Sequence, residues 1–210
     1  MNWKTFTRDK YLRNELIITV VAFLVVLFCF TMFLNFNEGR AGISPGDPVL
    51  HFFNPINLTW VIFGLIYLSI IMALVYLAGK PEALIYVLQV YALMLLIRML
   101  MMFLLPLNPP SGMIPLNDPF VQEFGTGRLL TKDLFFSGHT ATIFMLYLVI
   151  GNKYYKKIFL VFTILVAFSL LLQHVHYAVD VASAPFFAYV AYRLIYLLQT
   201  KKLKKSLIKV

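Results

Sequence analysis

The chain has 210 residues, 61% of them hydrophobic and only 13% charged, with a mean hydropathy of +0.83. Soluble domains carry about 45–50% apolar and about 25% charged residues. Disordered chains need few aromatics and dense charge, so a chain with 20 Phe and 12 Tyr belongs to neither class. What remains is an all-α, polytopic membrane protein built as a single domain over residues 1–210. The net charge of +9 then reads as an orientation signal with some attraction to anionic lipid, and not as a nucleic-acid footprint.

Crossing a bilayer takes about 20 apolar residues as a helix, and six runs qualify. Lys4, Arg8, Lys10 and Arg13 precede the first, Leu16–Phe36. It is long for a signal peptide, and no small-residue cleavage site follows it. Gly39, Gly42, Pro45, Gly46 and Pro48 mark a loop before the second run, Leu58–Ala78. Gly79-Lys80-Pro81 turns the chain into the third, Ala83–Leu105. A long loop opening on Pro106, Pro109, Pro110, Gly112 and Pro115 leads to the fourth, Leu134–Ile150. Gly151-Asn152-Lys153, with Lys156 and Lys157, precedes the fifth, Ile158–Leu172, which can begin as early as Tyr155. A short 173–176 link leads to the sixth, Tyr177–Leu198, and Arg193, Lys201, Lys202, Lys204, Lys205 and Lys209 close the chain. The lone Cys29 permits no intrachain disulfide.

In a six-helix arrangement nearly all of these cations fall on one side. The other side has only Arg40, Arg128 and Lys132. The positive-inside rule therefore predicts cytoplasmic termini, with loops 37–57, 106–133 and 173–176 facing outward.

Ionisable residues within a membrane are costly and are functional candidates by default. Arg98 and Asp180 stand inside the runs, joined by His139 and His176. All four are expected within roughly 10 Å of the outer surface, counting 1.5 Å per residue. His176 and Asp180 are four apart and are expected to share one helix face. An aspartate on one ring nitrogen fixes the tautomer and leaves the other as nucleophile or base; a pair that merely ties helices together has the same spacing. Ser137-Gly138-His139-Thr140 is expected to open the fourth helix, with His139 in its second turn. There glycine admits a close approach, and the helix N-terminus favours a phosphate, as does that of the sixth helix. Arg98 can add a bidentate contact to that anion, whereas small-residue packing explains the same tripeptide without function. Asp133 is placed as an N-cap of the fourth helix, with Arg128 and Lys132 either greeting an anionic headgroup or simply solvated. His174 is taken as an interfacial residue. It lies two positions from His176, pointing the opposite way, and no acidic or cysteine cluster completes a metal site. His51 carries no signal.

Two motifs carry a resemblance. Ser137-Gly138-His139 and His176-x-x-x-Asp180 resemble the last two motifs of the type 2 phosphatidic acid phosphatase superfamily, a helical phosphatase fold. Within it the chain is most similar to the sphingomyelin synthase branch, which carries Cys-Gly-Asp-x-x-x-Ser-Gly-His-Thr and His-Tyr-x-x-Asp-Val-x-x-Ala. Here the stretches read Thr131-Lys132-Asp133 through Ser137-Gly138-His139-Thr140, and His176-Tyr177-Ala178-Val179-Asp180-Val181-Ala182-Ser183-Ala184. In the first half the similarity reduces to Pro45-x-Asp47 and Arg98. Thr131-Lys132 replaces Cys-Gly, and Val175 stands where the branch has an Asp between paired histidines. Leu170 stands where the superfamily's phosphatases carry an Arg.

The resemblance implies a catalytic half over about 130–198, in which His176 attacks the phosphorus of a lipid donor to form a phosphohistidine. Asp180 would orient His176, and His139 would serve as acid and then base. Arg98, Asp133, Ser137, Gly138 and Tyr177 would bind substrate. No metal or cofactor is required. Partners would be membrane lipids, a phospholipid donor and a ceramide or diacylglycerol acceptor, with no nucleic acid. The oligomeric state is open. The expected setting is a bacterial inner membrane with the site on the periplasmic side. Two other functions stay open: a lipid phosphate phosphatase using the same residues, and a non-enzymatic transporter or scaffold. Against the transporter stand the lack of a repeat and the placement of the polar groups near one face.

Overall fold

The computed structural model describes residues 3–116 and 129–207, without the side chains of Lys4 and 201–207. Arg128 and the cationic side chains of the C-terminal tail therefore lie outside the described residues. Among the described residues seven helices follow in chain order: α1 (Trp3–Arg8), α2 (Lys10–Glu38), α3 (Thr59–Leu77), α4 (Pro81–Leu104), α5 (Gly138–Val149), α6 (Lys153–Leu172) and α7 (Ala178–Leu207). A single turn of 3-10 helix, Leu50–Phe52, interrupts the first long loop. The fold is all-α, and five helices, α2, α3, α4, α6 and the first 23 residues of α7, are long and apolar enough to cross a membrane. Large apolar side chains face outward along them, among them Ile18, Phe28, Val75 and Phe168, as lipid-facing surfaces require. The chain is accordingly a multi-pass integral membrane protein.

Polar caps set the boundaries. Asp9 accepts from the backbone N–H groups of Tyr11 and Leu12 and starts α2. Asn152 does the same for Tyr154 and Tyr155 and starts α6, which begins at Lys153, earlier than the apolar run itself. Pro81 occupies the first position of α4, where its missing N–H costs nothing.

The fourth run differs from expectation. Only Gly138–Val149 is helical, 12 residues or about 18 Å at 1.5 Å per residue, against a hydrocarbon core of about 30 Å. The preceding 134–137 stretch is not helical, and Leu134, Phe136 and Ser137 are buried. Irregular backbone at membrane depth survives only where protein surrounds it and satisfies its polar groups. Here the Phe136 carbonyl accepts from Arg98 Nε at 2.8 Å, and the Ser137 N–H donates to the Asp180 carbonyl at 3.1 Å. The Phe136 ring stacks on Phe187 at 4.6 Å.

Short α5 sits at the centre, touching α3, α4, α6 and α7, while α2 lies outside against α4. Close packing of α5 on α7 follows from Ala184, Ala188 and Ala191, all fully buried and spaced along one face. Small side chains let helix backbones approach where lipid supplies no hydrophobic drive.

The two ends of the bundle are chemically distinct. At one end α1 bonds to the turn after α3 through Trp3 Nε1 and the Ala78 carbonyl. There Lys80 lies over the Tyr76 ring, which packs on Tyr155. At the other end the long loops interlock. Ile43 and Leu107 pair as an isolated parallel bridge. Gly42 permits it, since a Cβ there would lie 2.7 Å from the Leu107 carbonyl carbon. Buried Gln173 accepts from the Leu58 N–H and donates to Thr59 Oγ1 and the Ile114 carbonyl, holding three segments at once.

Candidate active site

The site forms at the loop-rich end, where α6 stops, α7 starts and α5 begins. Helix α6 closes in a Schellman motif. The Val175 N–H reaches the Leu170 carbonyl at 3.0 Å, and the His174 N–H reaches that of Leu171 at 2.9 Å. The motif needs a left-handed residue and puts His174 there, at φ 56°, a conformation glycine normally supplies. His174 is held by its Nδ1 on the Ser111 carbonyl at 3.1 Å and its ring edge on Phe53. It is therefore buried at a helix end. Val175 fills the apolar position that accompanies the motif, packed in the same core cluster as Leu170.

His176 follows directly. It precedes α7, so the four-residue spacing to Asp180 is not a shared helix face; Asp180 lies in the first turn and reaches back. Its Oδ2 accepts from the Tyr177 N–H at 3.1 Å and meets His176 Nδ1 at 3.4 Å. Both side chains are almost wholly buried. The second contact is long for a hydrogen bond but short enough to favour the Nδ1–H tautomer. His176 Nε2 then carries the lone pair, and it has no hydrogen-bond partner among the described residues.

His139 stands across from it. The two rings meet edge to face with centroids 6.2 Å apart. At that separation the two imidazoles are direct neighbours. Because α5 starts at Gly138, His139 lies in its first turn, earlier than the expected second.

Arg98 underlies this turn. Its Nη2 is 2.8 Å from Asp133 Oδ1, an ionic contact rather than a directed hydrogen bond, and 3.5 Å from the Asp133 carbonyl. Gly138 lies directly over the guanidinium: a Cβ there would be 2.5 Å from Arg98 Cζ. The glycine thus admits a cation against the N-terminus of α5. Asp133 does not cap that helix, since Ser137 does, accepting from the Thr140 N–H at 3.4 Å while its hydroxyl donates to Thr140 Oγ1.

Tyr177 is buried, and its hydroxyl donates to the Asn108 carbonyl at 3.0 Å. Burial, then the charges of Asp180 and Asp47, push its phenol above the usual range and keep it a donor. Lys132 does not stand free for a headgroup: its Nζ donates to the Arg40 carbonyl at 2.6 Å.

The structure therefore brings His139, His176 and Asp180 together, and places Arg98, Asp133, Ser137 and Gly138 beneath them. Several contacts that hold the site escaped the sequence reading. Glu38 accepts from the Thr131 and Lys132 N–H groups at 3.0–3.1 Å and from the Thr131 hydroxyl, tying α2 to the strand of chain that carries Asp133. The N–H groups entering α7 are taken by Asp180 at Tyr177 and by Asp47 at Ala178. The α7 terminus is thus not the open anion site expected of it, whereas the α5 terminus lies beside Arg98 and His139.

Residues 132–198 match the sequence model of the PAP2 superfamily C-terminal family, the domain of the sphingomyelin synthase-like branch. The matched stretch contains His139, His176, Asp180, Asp133, Ser137, Gly138 and Tyr177, and Arg98 lies outside it. No curated protein and no solved structure matches the chain.

Proposed function

We propose that this protein is a membrane lipid phosphotransferase resembling sphingomyelin synthase. It would move a phospho-headgroup from a phospholipid to the hydroxyl of a ceramide or diacylglycerol. The observation that carries this reading is the buried His176–Asp180 pair facing His139 at 6.2 Å, within the segment that matches the family.

The chemistry balances on these residues. His176 Nε2 attacks phosphorus as the bond to the glyceride oxygen breaks, and His139 in its imidazolium form gives that oxygen its proton. Asp180 holds the Nδ1 proton and offsets the positive charge that His176 acquires. In the second half the acceptor hydroxyl loses its proton to His139, its oxygen bonds to phosphorus, and the phosphorus–nitrogen bond breaks. Arg98 and the first turn of α5 supply positive potential to the phosphoryl oxygens.

Leu170 favours transfer over hydrolysis. It is fully buried in the core where the superfamily's phosphatases carry an arginine. We place the basic end of the bundle and both termini in the cytoplasm by the positive-inside rule. The fourth crossing is then made by α5 together with its extended lead, and the site faces the outer, periplasmic leaflet of a bacterial inner membrane.

Purified protein given a phospholipid with labelled headgroup phosphate and a ceramide or diacylglycerol should produce labelled acceptor lipid, and His176→Ala should abolish it with the fold intact. Release of free labelled phosphate alone would instead support a phosphatase, and unchanged turnover in His176→Ala would remove the nucleophile assignment.

A further inference from the structure

We propose that Asp47, in the loop between α2 and α3, is a positioning residue for the His176–Asp180 pair; this rests on the phosphotransfer reading of that pair. The first N–H groups of an α-helix have no intrahelical acceptor, and the residue before the first turn usually supplies one from a short polar side chain. At α7 that residue is Tyr177, whose hydroxyl is directed to the Asn108 carbonyl and serves no cap. Asp180 fills half of the need by reaching back to the Tyr177 N–H, the role of the acidic residue in a capping box.

The other half arrives from 131 residues upstream. Asp47 Oδ2 accepts from the Ala178 N–H at 2.6 Å. Its Oδ1 accepts from the Val49 N–H at 2.9 Å, so the carboxylate is fixed by its own loop before it meets α7. Asp47 is buried, and among the described residues these two amides are its hydrogen-bond partners. The two carboxylates therefore clamp successive N–H groups, at 177 and 178. Asp180 uses one oxygen, Oδ2, for both the Tyr177 N–H and His176 Nδ1. Any rotation of that turn moves the oxygen that orients the imidazole. Asp47 thus acts on His176 through the backbone of the turn, without touching the ring.

Asp47 also lies in the wall of an outer cavity of about 540 Å3, beside His51, Phe53, Ser111, His174 and Tyr177. A direct substrate contact is the competing role, and kinetics separate the two. With labelled phospholipid in detergent micelles, Asp47→Ala should lower kcat by about 10-fold to 100-fold, the cost of a small misplacement, with KM unchanged. Asp47→Asn keeps one acceptor oxygen for the two amides and turns its NH2 group against the other N–H, so it should lose turnover in the same way. A raised KM with unchanged kcat would make Asp47 a substrate contact and overturn the proposal. Wild-type turnover in either folded variant would show that the clamp on the two amides does not position the pair, and would overturn it too.

A second readout needs no activity. In 15N-histidine-labelled protein, the His176 ring signals, assigned by their loss in His176→Gln, should shift in both Asp47→Ala and Asp47→Asn. Unmoved signals in either folded variant would overturn the positioning role. If those signals move as stated while the wild-type protein transfers no headgroup, only the reaction assignment falls.

Discussion

Gly138 is the residue on which most of the site's geometry depends. Its missing Cβ is what lets the Arg98 guanidinium lie against the first turn of α5, and Arg98 in turn holds the Phe136 carbonyl and Asp133. A flexible arginine tip normally yields to an added methyl, but this one is anchored from two sides. Gly138→Ala should therefore displace the guanidinium from beneath the phosphate position and lower turnover by about 100-fold, with the helices retained by circular dichroism. Turnover close to wild type would show that Arg98 contributes nothing to the reacting phosphate. Sequence pointed to Arg98, His139, His176 and Asp180 because charge within an apolar run is rare. What it could not show is that Arg98 is already committed to Asp133 and a carbonyl. Nor could it show that His176 lies outside its helix, since a four-residue spacing looks alike on a helix and across a helix start.

At the scale of elements, the loops do the positioning. Gln173 closes α6 and binds segments 58–59 and 114 together, directly before the turn that carries His176. Glu38 fastens α2 to the chain entering α5. Replacing Gln173 with Leu fits the apolar surroundings but leaves the Leu58 N–H and Ile114 carbonyl without this partner, at about 1–3 kcal/mol for each group left unsatisfied. The melting temperature in detergent should fall accordingly, and an unchanged value would show that the clamp holds nothing. The long helices were legible from the lengths of their apolar runs, and α6 began where its asparagine cap put it. The extended 134–137 segment was not legible, because its composition is that of a membrane helix. It is held out of helix by partners on α4 and α7, Arg98 and Asp180, which no local pattern reveals. Glu38 and Gln173 were missed for the same reason, and Asp47 was named only within Pro45-x-Asp47, without a role: a lone polar residue at a run end or in a loop carries no sign of a partner some hundred residues away.

For the whole molecule, the division of labour runs between the halves. The second half holds the two histidines, Asp180 and the family match, while the first half supplies Arg98, Glu38 and Asp47 from α4, α2 and the loop between α2 and α3. The bundle thus sets a buried polar cluster at the loop-rich end of an otherwise apolar body. In the proposed reaction His176 Nε2 carries the phospho-headgroup between donor and acceptor. The direct test is to mix the protein with a phospholipid labelled in its headgroup phosphate, without acceptor, quench, and locate the label by peptide mass spectrometry. Labelled phosphorus is expected bonded to nitrogen on the peptide containing His176, discharged when ceramide or diacylglycerol is added and absent in His176→Ala. Acceptor lipid labelled at full rate by the His176→Ala protein, or a stable adduct on any other residue, would contradict it.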